Sequence, residues 1–504
     1  MLALCTDVGT SLIKTVAYDG AGAEITVARR PMDVLRPRPG HAEQDMRAVW
    51  DGVASSLREA SERVRGDVDF VALTAQGDGC WLVDERGEPT GNAALWSDGR
   101  NTEIVDRWER DGTIERAFRI NGSLTFPGLP NAILHHMREH EPGRVERAHR
   151  ALYCGGWTFF KLTGELAVDE SDASVPLLDI RSHRYSPELL RLYDLEWAAP
   201  LLPEVRGMER RVARLTPEAA SDTGLPAGLP VVLAPYDIAS TAIGIGAAAP
   251  GRACSILGTT LCTEVMTDRV NTEGEPAGFT IAMGVPDRYL RAYPTLAGTD
   301  VIDWAVAMLR LEEPAELVAL ARGSEPGARG AVFMPYLSPA GERAPFLNPS
   351  ARGTFVGLSL EHGRDDIAMA VLEGLSLVVR DCLEASAGEP TELGLCGGGA
   401  SSDFWCQLIA DVTGIATFRS LDSELGAKGA FITGLIATGR ESDTERTAER
   451  LACAGDRFEP REDHSALYAE RYRQFVELRG AAAVMWQRIA DASRAGGVVA
   501  PVHG

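Results

Sequence analysis

A short stretch near the start of the chain carries the residue types that bind phosphate and a metal ion. It holds an acid, a glycine, two hydroxyls and a lysine: Asp7, Gly9, Thr10, Ser11 and Lys14. Glycine permits turn conformations that other residues resist, and the backbone N–H groups of a turn can bind phosphate oxygens. A carboxylate is a common ligand of Mg²⁺. Taken alone the stretch could be a plain β-turn, so its interpretation depends on the rest of the chain.

A similar stretch recurs in the second half. Gly258 and Thr259 stand between two runs of β-forming residues, and Gly9 and Gly258 lie about half the chain length apart. The familiar nucleotide signatures are absent: the chain has no G-x-x-x-x-G-K-[ST] motif, no dinucleotide fingerprint after a strand and no protein-kinase catalytic loop. We interpret the repeat as the trace of two similar halves, each offering a Gly-Thr hairpin to one nucleotide.

Further polar residues follow predicted strands. Gln76 and Asp78 come directly after a buried-type strand, and Trp96 ends a second one. Asp237 follows a third strand at the start of the predicted helix Ile238 to Ala248. Asp237 could simply cap that helix, and the others could be ordinary polar or core residues. Together they predict a hydroxyl-binding pocket with an aromatic wall, because carboxylates accept strong hydrogen bonds from hydroxyls. A cap and a catalytic base are compatible roles for Asp237.

Glycines mark two further junctions. Gly397 to Gly399 follow the predicted strand Leu393 to Leu395 and precede a helix, and Gly298 stands just before another helix. Without side chains the backbone can approach a nucleotide closely, and a helix N-terminus favours anions. A tight entry into the helix is the plain alternative.

The elements that must position these residues alternate between strands and helices. A helix capped by Asp45 is predicted to run to about Val64, and the tail is predicted as two amphipathic helices, His464 to Leu478 and a second one ending near Ser493. Disorder is expected only in the last residues. The predicted early strands are Leu2 to Thr6, Leu12 to Tyr18, Glu24 to Arg29 and Val68 to Thr74, followed by a hairpin of Cys80 to Asp84 with Ala93 to Trp96.

Bulk properties bound the function. A chain of 504 residues with 45% hydrophobic residues should form two or three domains. We place a boundary at Pro250, which gives domains 1–249 and 250–504. A net charge of −22 repels nucleic acid and anionic membranes, so neither is expected as a partner. The nine cysteines are scattered, and neither a signal peptide nor a membrane span is seen, so we predict a cytoplasmic location.

Several spaced motifs resemble the FGGY carbohydrate kinases, which include glycerol, xylulose, ribulose and erythritol kinases. Gly353 to Leu358 followed by Asp366 to Glu373 looks like the family's C-terminal signature, and Trp157 to Glu165 is similar to the N-terminal one. The resemblance covers roughly residues 1–440. It implies an α/β fold of two ribonuclease-H-like domains of the actin, hexokinase and heat-shock ATPase superfamily, with ATP in the cleft between them. Other stretches with the family's look are Gly40 to Asp45, Leu95 to Arg100, Gly341 to Pro345 and Gly397 to Ala400.

The resemblance also implies residue roles. Asp237 matches the family's catalytic base, which accepts a proton from a primary hydroxyl as that hydroxyl attacks the γ-phosphorus. Asp7 would hold Mg²⁺ through water. The resemblance implies phosphate and nucleotide contacts from Thr10, Ser11, Lys14, Gly258, Thr259, Gly298, Gly398, Gly399 and Asp403. It implies a substrate pocket lined by Gln76, Asp78, Trp96, Asp98 and Tyr236.

Substrate choice depends on the residues after Gln76. Glycerol kinases have an arginine-glutamate pair there and xylulokinases usually methionine-histidine, whereas this chain has Gly77-Asp78. Together with Pro235 to Ile238, the residues after Gln76 look most like those of erythritol kinases, or of a related tetritol or L-xylulose kinase. We therefore predict ATP-dependent phosphorylation of erythritol or another tetritol, and we also consider a homodimer. The alternatives are a pentulose kinase, an ATP-dependent sensor or scaffold, and a sugar-binding regulator without catalysis; the intact Asp237 favours an enzyme.

Overall fold

The computed structural model describes residues 1–495. The predicted disorder of the last residues concerns positions outside this range. The chain forms two compact units. The first comprises residues 1–250, 266–291 and 422–453, and the second comprises 251–265, 292–421 and the part from 454 onward. The domains 1–249 and 250–504 stay a prediction, because each unit is assembled from several stretches of chain.

Strands and helices alternate along the chain. The strands are β1 (Leu2–Val8), β2 (Leu12–Asp19), β3 (Glu24–Pro31), β4 (Glu43–Gln44), β5 (Phe70–Ala75), β6 (Trp81–Val83), β7 (Ala93–Ala94), β8 (Arg150–Leu152), β9 (Ala167–Asp169), β10 (Leu178–Asp179), β11 (Arg184–Tyr185), β12 (Glu204–Arg206), β13 (Val212–Arg214), β14 (Pro230–Leu233), β15 (Arg252–Leu257), β16 (Leu261–Thr267), β17 (Phe279–Ala282), β18 (Tyr289–Pro294), β19 (Val332–Met334), β20 (Thr354–Val356), β21 (Glu392–Cys396), β22 (Ala416–Ser420) and β23 (Ala454–Phe458).

The helices are α1 (Met46–Arg63), α2 (Thr102–Arg110), α3 (Thr113–Asn121), α4 (Pro130–His140), α5 (Pro142–Glu146), α6 (Cys154–Thr163), α7 (Glu170–Ser174), α8 (Pro187–Leu192), α9 (Pro217–Thr223), α10 (Asp237–Gly244), α11 (Thr299–Met308), α12 (Pro314–Ala321), α13 (Arg364–Ala385), α14 (Asp403–Thr413), α15 (Leu425–Ala437), α16 (Thr444–Leu451) and α17 (Glu462–Ala495). Short 3-10 helices occur at Glu196–Leu201, Met208–Arg210, Ala328–Gly330 and Gly398–Ser401. Within the described residues, no helix has a stretch long and apolar enough to cross a membrane.

The first unit is built on a six-stranded sheet in the order β13-β14-β5-β1-β2-β3. Strand β1 pairs antiparallel with β2 and parallel with β5, and β5 pairs parallel with β14. Helix α1 begins as predicted, since the Asp45 carboxylate accepts hydrogen bonds from the backbone N–H groups of its first turn. The apolar face of α1 (Val49, Val53 and Leu57) is buried. Because β1, β5 and β14 are parallel, their carboxyl ends meet at one edge of the sheet, and the residues that follow them meet there too.

The second unit repeats this arrangement. Its sheet contains the order β16-β15-β21-β22-β23. Strand β15 pairs antiparallel with β16 and parallel with β21, β21 pairs parallel with β22, and β22 pairs antiparallel with β23. These are the directions found along β2-β1-β5-β14-β13 in the first unit. The prediction of two similar halves is therefore confirmed at the level of strand order and direction.

Helices α10 and α15 of the first unit cross in close contact because glycines face them. A Cβ atom at Gly429 would lie 1.8 Å from the Ser240 carbonyl oxygen, and one at Gly244 would lie 2.1 Å from that of Leu425. Any side chain at either position would force the helices apart. The contact fixes the start of α15 beside the end of β1, where a Cβ at Gly426 would lie 3.0 Å from Asp7 Oδ2.

Three local predictions differ from the structure. The hairpin of Cys80 to Asp84 with Ala93 to Trp96 is reduced to a single bridge, Cys80 to Ala94. Strand β6 pairs with β8, and β7 pairs with β4, because a short apolar strand pairs with whichever edge the tertiary fold brings to it. The two predicted tail helices form one helix, α17. Helix α10 begins at Asp237 with Tyr236 as its N-cap, so the simple capping role considered for Asp237 is wrong.

Candidate active site

In the N-terminal hairpin, the ammonium group of Lys14 lies between two carboxylates. Asp7 and Lys14 lie opposite each other in the β1–β2 register. The Lys14 ammonium is 2.8 Å from Glu424 Oε2 and 4.0 Å from Asp7 Oδ2. The other oxygen of Glu424 binds Arg29 at 2.6 Å. Glu424 is a residue that sequence reasoning missed, because it stands far along the chain and reaches the hairpin only through the packing of α15.

Asp7 presents a carboxylate oxygen suited to a hard cation. Its Oδ1 is buried without a hydrogen-bond partner. Burial raises the pKa of Asp7 to about 6; Glu424 acts in the same direction and Lys14 opposes it. No group of three or more acid, histidine or cysteine ligands exists among the residues described. A Mg²⁺ ion here would therefore take most of its ligands from water and phosphate, as Mg²⁺ commonly does. The residues present fit that ion.

Asp237 lies at the same sheet edge, four residues past the end of β14 and in the first turn of α10. Its Oδ1 accepts a hydrogen bond from the N–H of Ile238 at 2.7 Å. The loss of hydration, together with the charges of Asp7 and Asp78, raises the pKa of Asp237 to about 8. The Ile238 N–H and Lys14 act in the opposite direction. A carboxylate of this basicity can accept a proton at neutral pH.

The segment after β5 is shaped by Tyr236. A Cβ atom at Gly77 would lie 2.3 Å from Tyr236 Cδ2, so the Tyr236 ring occupies the space that a side chain at position 77 would need. The ring is buried, and the Tyr236 N–H donates to Ser171 Oγ at 3.0 Å. The next residue, Asp78, has a φ of +57°. This strained backbone, rare for a residue other than glycine, sets the course of the loop that carries the Asp78 carboxylate.

A closed set of hydrogen bonds joins the hairpin to the predicted pocket. Trp96 Nε1 donates to Thr10 Oγ1 at 2.9 Å, and the Thr10 hydroxyl donates to Gln76 Oε1 at 2.7 Å. Gln76 Nε2 donates to Gln44 Oε1 at 2.8 Å, and Gln44 Nε2 donates to the Thr10 carbonyl at 2.6 Å. The structure thus brings three of the predicted residues together. Gln44, fully buried, was not predicted individually, although it belongs to the motif Gly40 to Asp45.

Asp98, also predicted to line the substrate pocket, lies in a buried ion-pair cluster. It is buried, and both its oxygens bind the guanidinium of Arg100, at 2.8 to 3.0 Å. Its Oδ2 also accepts from the N–H of Ala42 at 2.8 Å, and Arg100 binds Glu43 at 2.6 Å. This cluster ties two loops of the first unit together. Direct contact between Asp98 and a substrate stays a prediction, and its hydrogen bonds favour a role in holding the loop.

A further acid, Asp172, belongs to the same surroundings. It is buried on α7, and its Oδ1 has no hydrogen-bond partner. Burial raises its pKa well above the usual range, and the neighbouring charges of Asp169, Asp78 and Asp237 act in the same direction. Sequence reasoning missed Asp172. The only local signal is its position just after the N-terminal family signature.

The glycine-rich loops of the second unit meet at the end of β15. A Cβ at Gly298 would lie 2.4 Å from the Thr259 carbonyl oxygen, and one at Gly397 would lie 2.8 Å from that of Leu257. Three predicted residues, Gly258, Thr259 and Gly298, are therefore in contact with one another. The Gly298 N–H donates to Asp300 Oδ1 at 3.0 Å, and the Thr299 N–H donates to the Gly258 carbonyl at 2.9 Å. Nucleotide binding by these glycines stays a prediction.

The remaining residues predicted to bind the nucleotide have different surroundings in the structure. A Cβ at Gly398 would meet nothing within 4 Å, so the backbone there is open to a ligand. Gly399 is explained by packing, because a Cβ would lie 2.3 Å from the Trp405 ring. Asp403 begins α14 and binds Arg419 at 2.8 Å. Ser11 is exposed at the hairpin tip. Their roles at a nucleotide stay predictions.

The comparisons with known proteins agree that the chain is similar to carbohydrate kinases. The model of the FGGY family of carbohydrate kinases, N-terminal domain, matches residues 2–244, and that of the C-terminal domain matches residues 253–438. An erythritol kinase from Brucella abortus (strain 2308) is 31% identical over 96% of this chain and 97% of its own length. A xylulose kinase from Escherichia coli (strain K12) is 28% identical over 94% and 97%, respectively. The crystal structure of a gluconate kinase from Lactobacillus acidophilus aligns with a TM-score of 0.92 at 23% identity over 97% of this chain and 99% of that one, a likeness of fold.

Proposed function

The chain belongs to the FGGY family of carbohydrate kinases, and from this premise we propose that it transfers the γ-phosphoryl group of ATP to a primary hydroxyl of erythritol or another tetritol. The observation that carries the chemistry is the Asp237 carboxylate. It follows β14 in the first turn of α10, and its pKa is raised to about 8 by lost hydration and by Asp7 and Asp78. A base of that strength, beside the hairpin that we propose to bind phosphate and metal, is what a hydroxyl-phosphorylating enzyme requires.

In the proposed mechanism, Asp237 accepts the proton of the acceptor hydroxyl as the hydroxyl oxygen attacks the γ-phosphorus. The bond between the γ-phosphorus and the β–γ bridging oxygen breaks, and ADP leaves. Lys14, positioned by Glu424, places a positive charge near the transferring group. Asp7 would hold Mg²⁺, which would neutralise charge on the phosphates. In the second unit, the backbone at Gly258, Thr259 and Gly298 would bind the nucleotide phosphates, with Gly398 nearer the adenosine.

The acceptor class follows from the composition of the pocket. Gln76 and the carboxylates of Asp78 and Asp237 accept hydrogen bonds, which suits a ligand that offers several hydroxyl donors. The Tyr236 ring fills the space that a side chain at position 77 would need, a position where the resemblance implies arginine in glycerol kinases and methionine in xylulokinases. This departure, with the 31% identity to a protein named as an erythritol kinase, supports a tetritol as the acceptor.

A pentulose such as xylulose or ribulose is the second candidate acceptor. The observation in its favour is the 28% identity, over nearly the full length, to a protein named as a xylulose kinase. The two candidates differ at the second carbon, where a ketose has a carbonyl acceptor and a polyol has a hydroxyl donor. A pocket dominated by carboxylates favours the donor.

We also propose a cellular location and an oligomeric state for the protein. All nine cysteines are free and eight are buried, which supports a reducing, cytoplasmic environment. A homodimer is proposed only as a state to be tested by light scattering.

The experiment that tests the proposal is ADP release over a panel of acceptors: erythritol, both threitols, glycerol, ribitol, xylulose and ribulose. We expect the highest kcat/KM with a tetritol. The Asp237→Asn variant serves as the matched control, and it should lose at least about a hundredfold in turnover, the usual contribution of a general base. A pentulose with the highest kcat/KM would replace the tetritol assignment, and turnover with none of the panel would refute the proposed acceptor class.

A further inference from the structure

The hydrogen bonds among Thr10, Gln44, Gln76 and Trp96 run in a single direction. The direction is fixed from the Gln44 end. The Trp96 indole N–H only donates, so Thr10 Oγ1 accepts from Trp96. A hydroxyl oxygen has two lone pairs, so this bond alone permits either orientation of Gln76.

The Gln44 end decides between the two orientations. The backbone carbonyl of Thr10 only accepts, so Gln44 must present its Nε2 to that oxygen. Gln44 then presents Oε1 to Gln76, and Gln76 must present Nε2 in return. This orientation leaves Gln76 Oε1 facing Thr10, so the Thr10 hydroxyl must be the donor. The Thr10 carbonyl, which can only accept, thus fixes the orientation of both amides.

This direction has a consequence for phosphate binding. Phosphate oxygens accept hydrogen bonds, so the Thr10 hydroxyl can help to bind phosphate only by donating its hydrogen. In the structure that hydrogen is already given to Gln76. Gln76 also lies in the proposed acceptor pocket, where a hydroxyl of the acceptor can donate to the same Oε1 in place of Thr10.

We propose that Gln44 is a positioning residue that makes nucleotide binding depend on the acceptor. By holding the Gln76 carbonyl toward Thr10, it keeps the Thr10 hydroxyl engaged until an acceptor hydroxyl binds Gln76 and frees Thr10 to donate to phosphate. The inference rests on the proposed function, since it places the acceptor at Gln76 and the phosphate at Thr10. Its benefit to the enzyme is that ATP is held most tightly when an acceptor is present, which suppresses transfer to water.

The test is the affinity for a non-hydrolysable ATP analogue with Mg²⁺, measured by calorimetry on the full chain with and without the acceptor that gives the highest turnover. In the wild type we expect the acceptor to tighten analogue binding about fivefold, the effect of one net hydrogen bond. Gln44→Met keeps the side-chain length but neither donates to Thr10 nor accepts from Gln76. We expect this variant to bind the analogue about as tightly without acceptor as the wild type does with it, and the acceptor effect to fall below about twofold.

The sign of this change separates positioning from damage, because a merely disordered site would weaken analogue binding in the absence of acceptor. Gln44→Glu loses the donor to the Thr10 carbonyl and adds a negative charge, so it should weaken analogue binding with and without acceptor. It still accepts from Gln76 Nε2, so the ratio of the two affinities should stay as in the wild type. If Gln44→Met does not fold, Gln44→Asn, too short to reach both partners, takes its place with the same expected result. A wild-type acceptor effect below about twofold, or a Gln44→Met protein with weaker binding or an unchanged acceptor effect, would overturn the inference.

Failure of the proposed function has a different signature. If no acceptor in the panel supports turnover, the tetritol or pentulose assignment fails. The acceptor-free arm still tests the relay in that case, since Gln44→Met should bind the analogue more tightly than the wild type. Tighter binding supports the relay, and equal or weaker binding refutes it.

Discussion

The raised pKa of Asp237 predicts a specific pH dependence. In the free enzyme this pKa is about 8, well above the usual 3.8 of an aspartate, because lost hydration and the charges of Asp7 and Asp78 penalise the ionised form. A general base must be ionised to act. With both substrates limiting, the rate should therefore rise about tenfold per pH unit up to about pH 8 and then level off, so that at pH 6 it is roughly a hundredth of the plateau.

The substitution Asp78→Asn tests whether neighbouring negative charge raises the pKa of Asp237. It removes one negative charge while keeping the size of the side chain. Since Asp78 raises the pKa of Asp237, its neutralisation should lower that pKa and shift the rise in rate to lower pH. The plateau should also fall, because Asp78 is a proposed acceptor contact. The plateau and the midpoint are separate quantities, so the loss of binding does not hide the shift.

The assay is coupled ADP release at subsaturating acceptor and MgATP from about pH 5.5 to 9.5, with the coupling enzymes in excess at every pH. A rate that is flat between pH 6 and 9 would refute the assignment of Asp237 as a base with a raised pKa. A midpoint that moves to higher pH in Asp78→Asn would refute the electrostatic explanation.

Two further predictions concern packing and buried charge. Gly77→Ala would place a methyl group 2.3 Å from the Tyr236 ring, so the ring beside the base must move, and kcat/KM should fall at least about tenfold with little change in the ATP KM; an unchanged kcat/KM would contradict the role given to Tyr236. Arg100→Met leaves buried carboxylates, including Asp98, without their cation and should lower the free energy of unfolding by about 3 kcal/mol in urea denaturation. The matched control Arg47→Met, which breaks an exposed ion pair, should change it by less than about 1 kcal/mol.

Local sequence patterns predicted much of the site because its residues follow strands. Asp7 and Asp237 stand at the carboxyl ends of parallel strands, and the Gly-Thr pair of the second half is a hairpin tip, features visible in a window of a few residues. Parallel strands bring their carboxyl ends to one edge, so the local pattern also implied the meeting of these residues.

The residues that were missed depend on distant packing. Glu424 reaches Lys14 only because glycines let α15 cross α10 closely, and the sequence around Glu424 carries no sign of that contact. Asp172 shows no pattern of its own, since its burial comes from elements far along the chain. The prediction of a hairpin near Cys80 was wrong for the same reason. Several short apolar strands could pair with one another, and the tertiary fold determines which of them do. Gly399 shows the reverse case, a glycine in a suggestive motif whose small size is accounted for by Trp405.

We propose that Asp237 is the base of a tetritol kinase. The initial rate of ADP formation with erythritol and MgATP tests this role when it is compared between the wild type and Asp237→Asn, after circular dichroism has shown that both are folded. We expect erythritol-dependent ADP formation by the wild type and a rate at least about a hundredfold lower in the variant. A folded Asp237→Asn protein within a few-fold of the wild-type rate would contradict the role of Asp237 as the base.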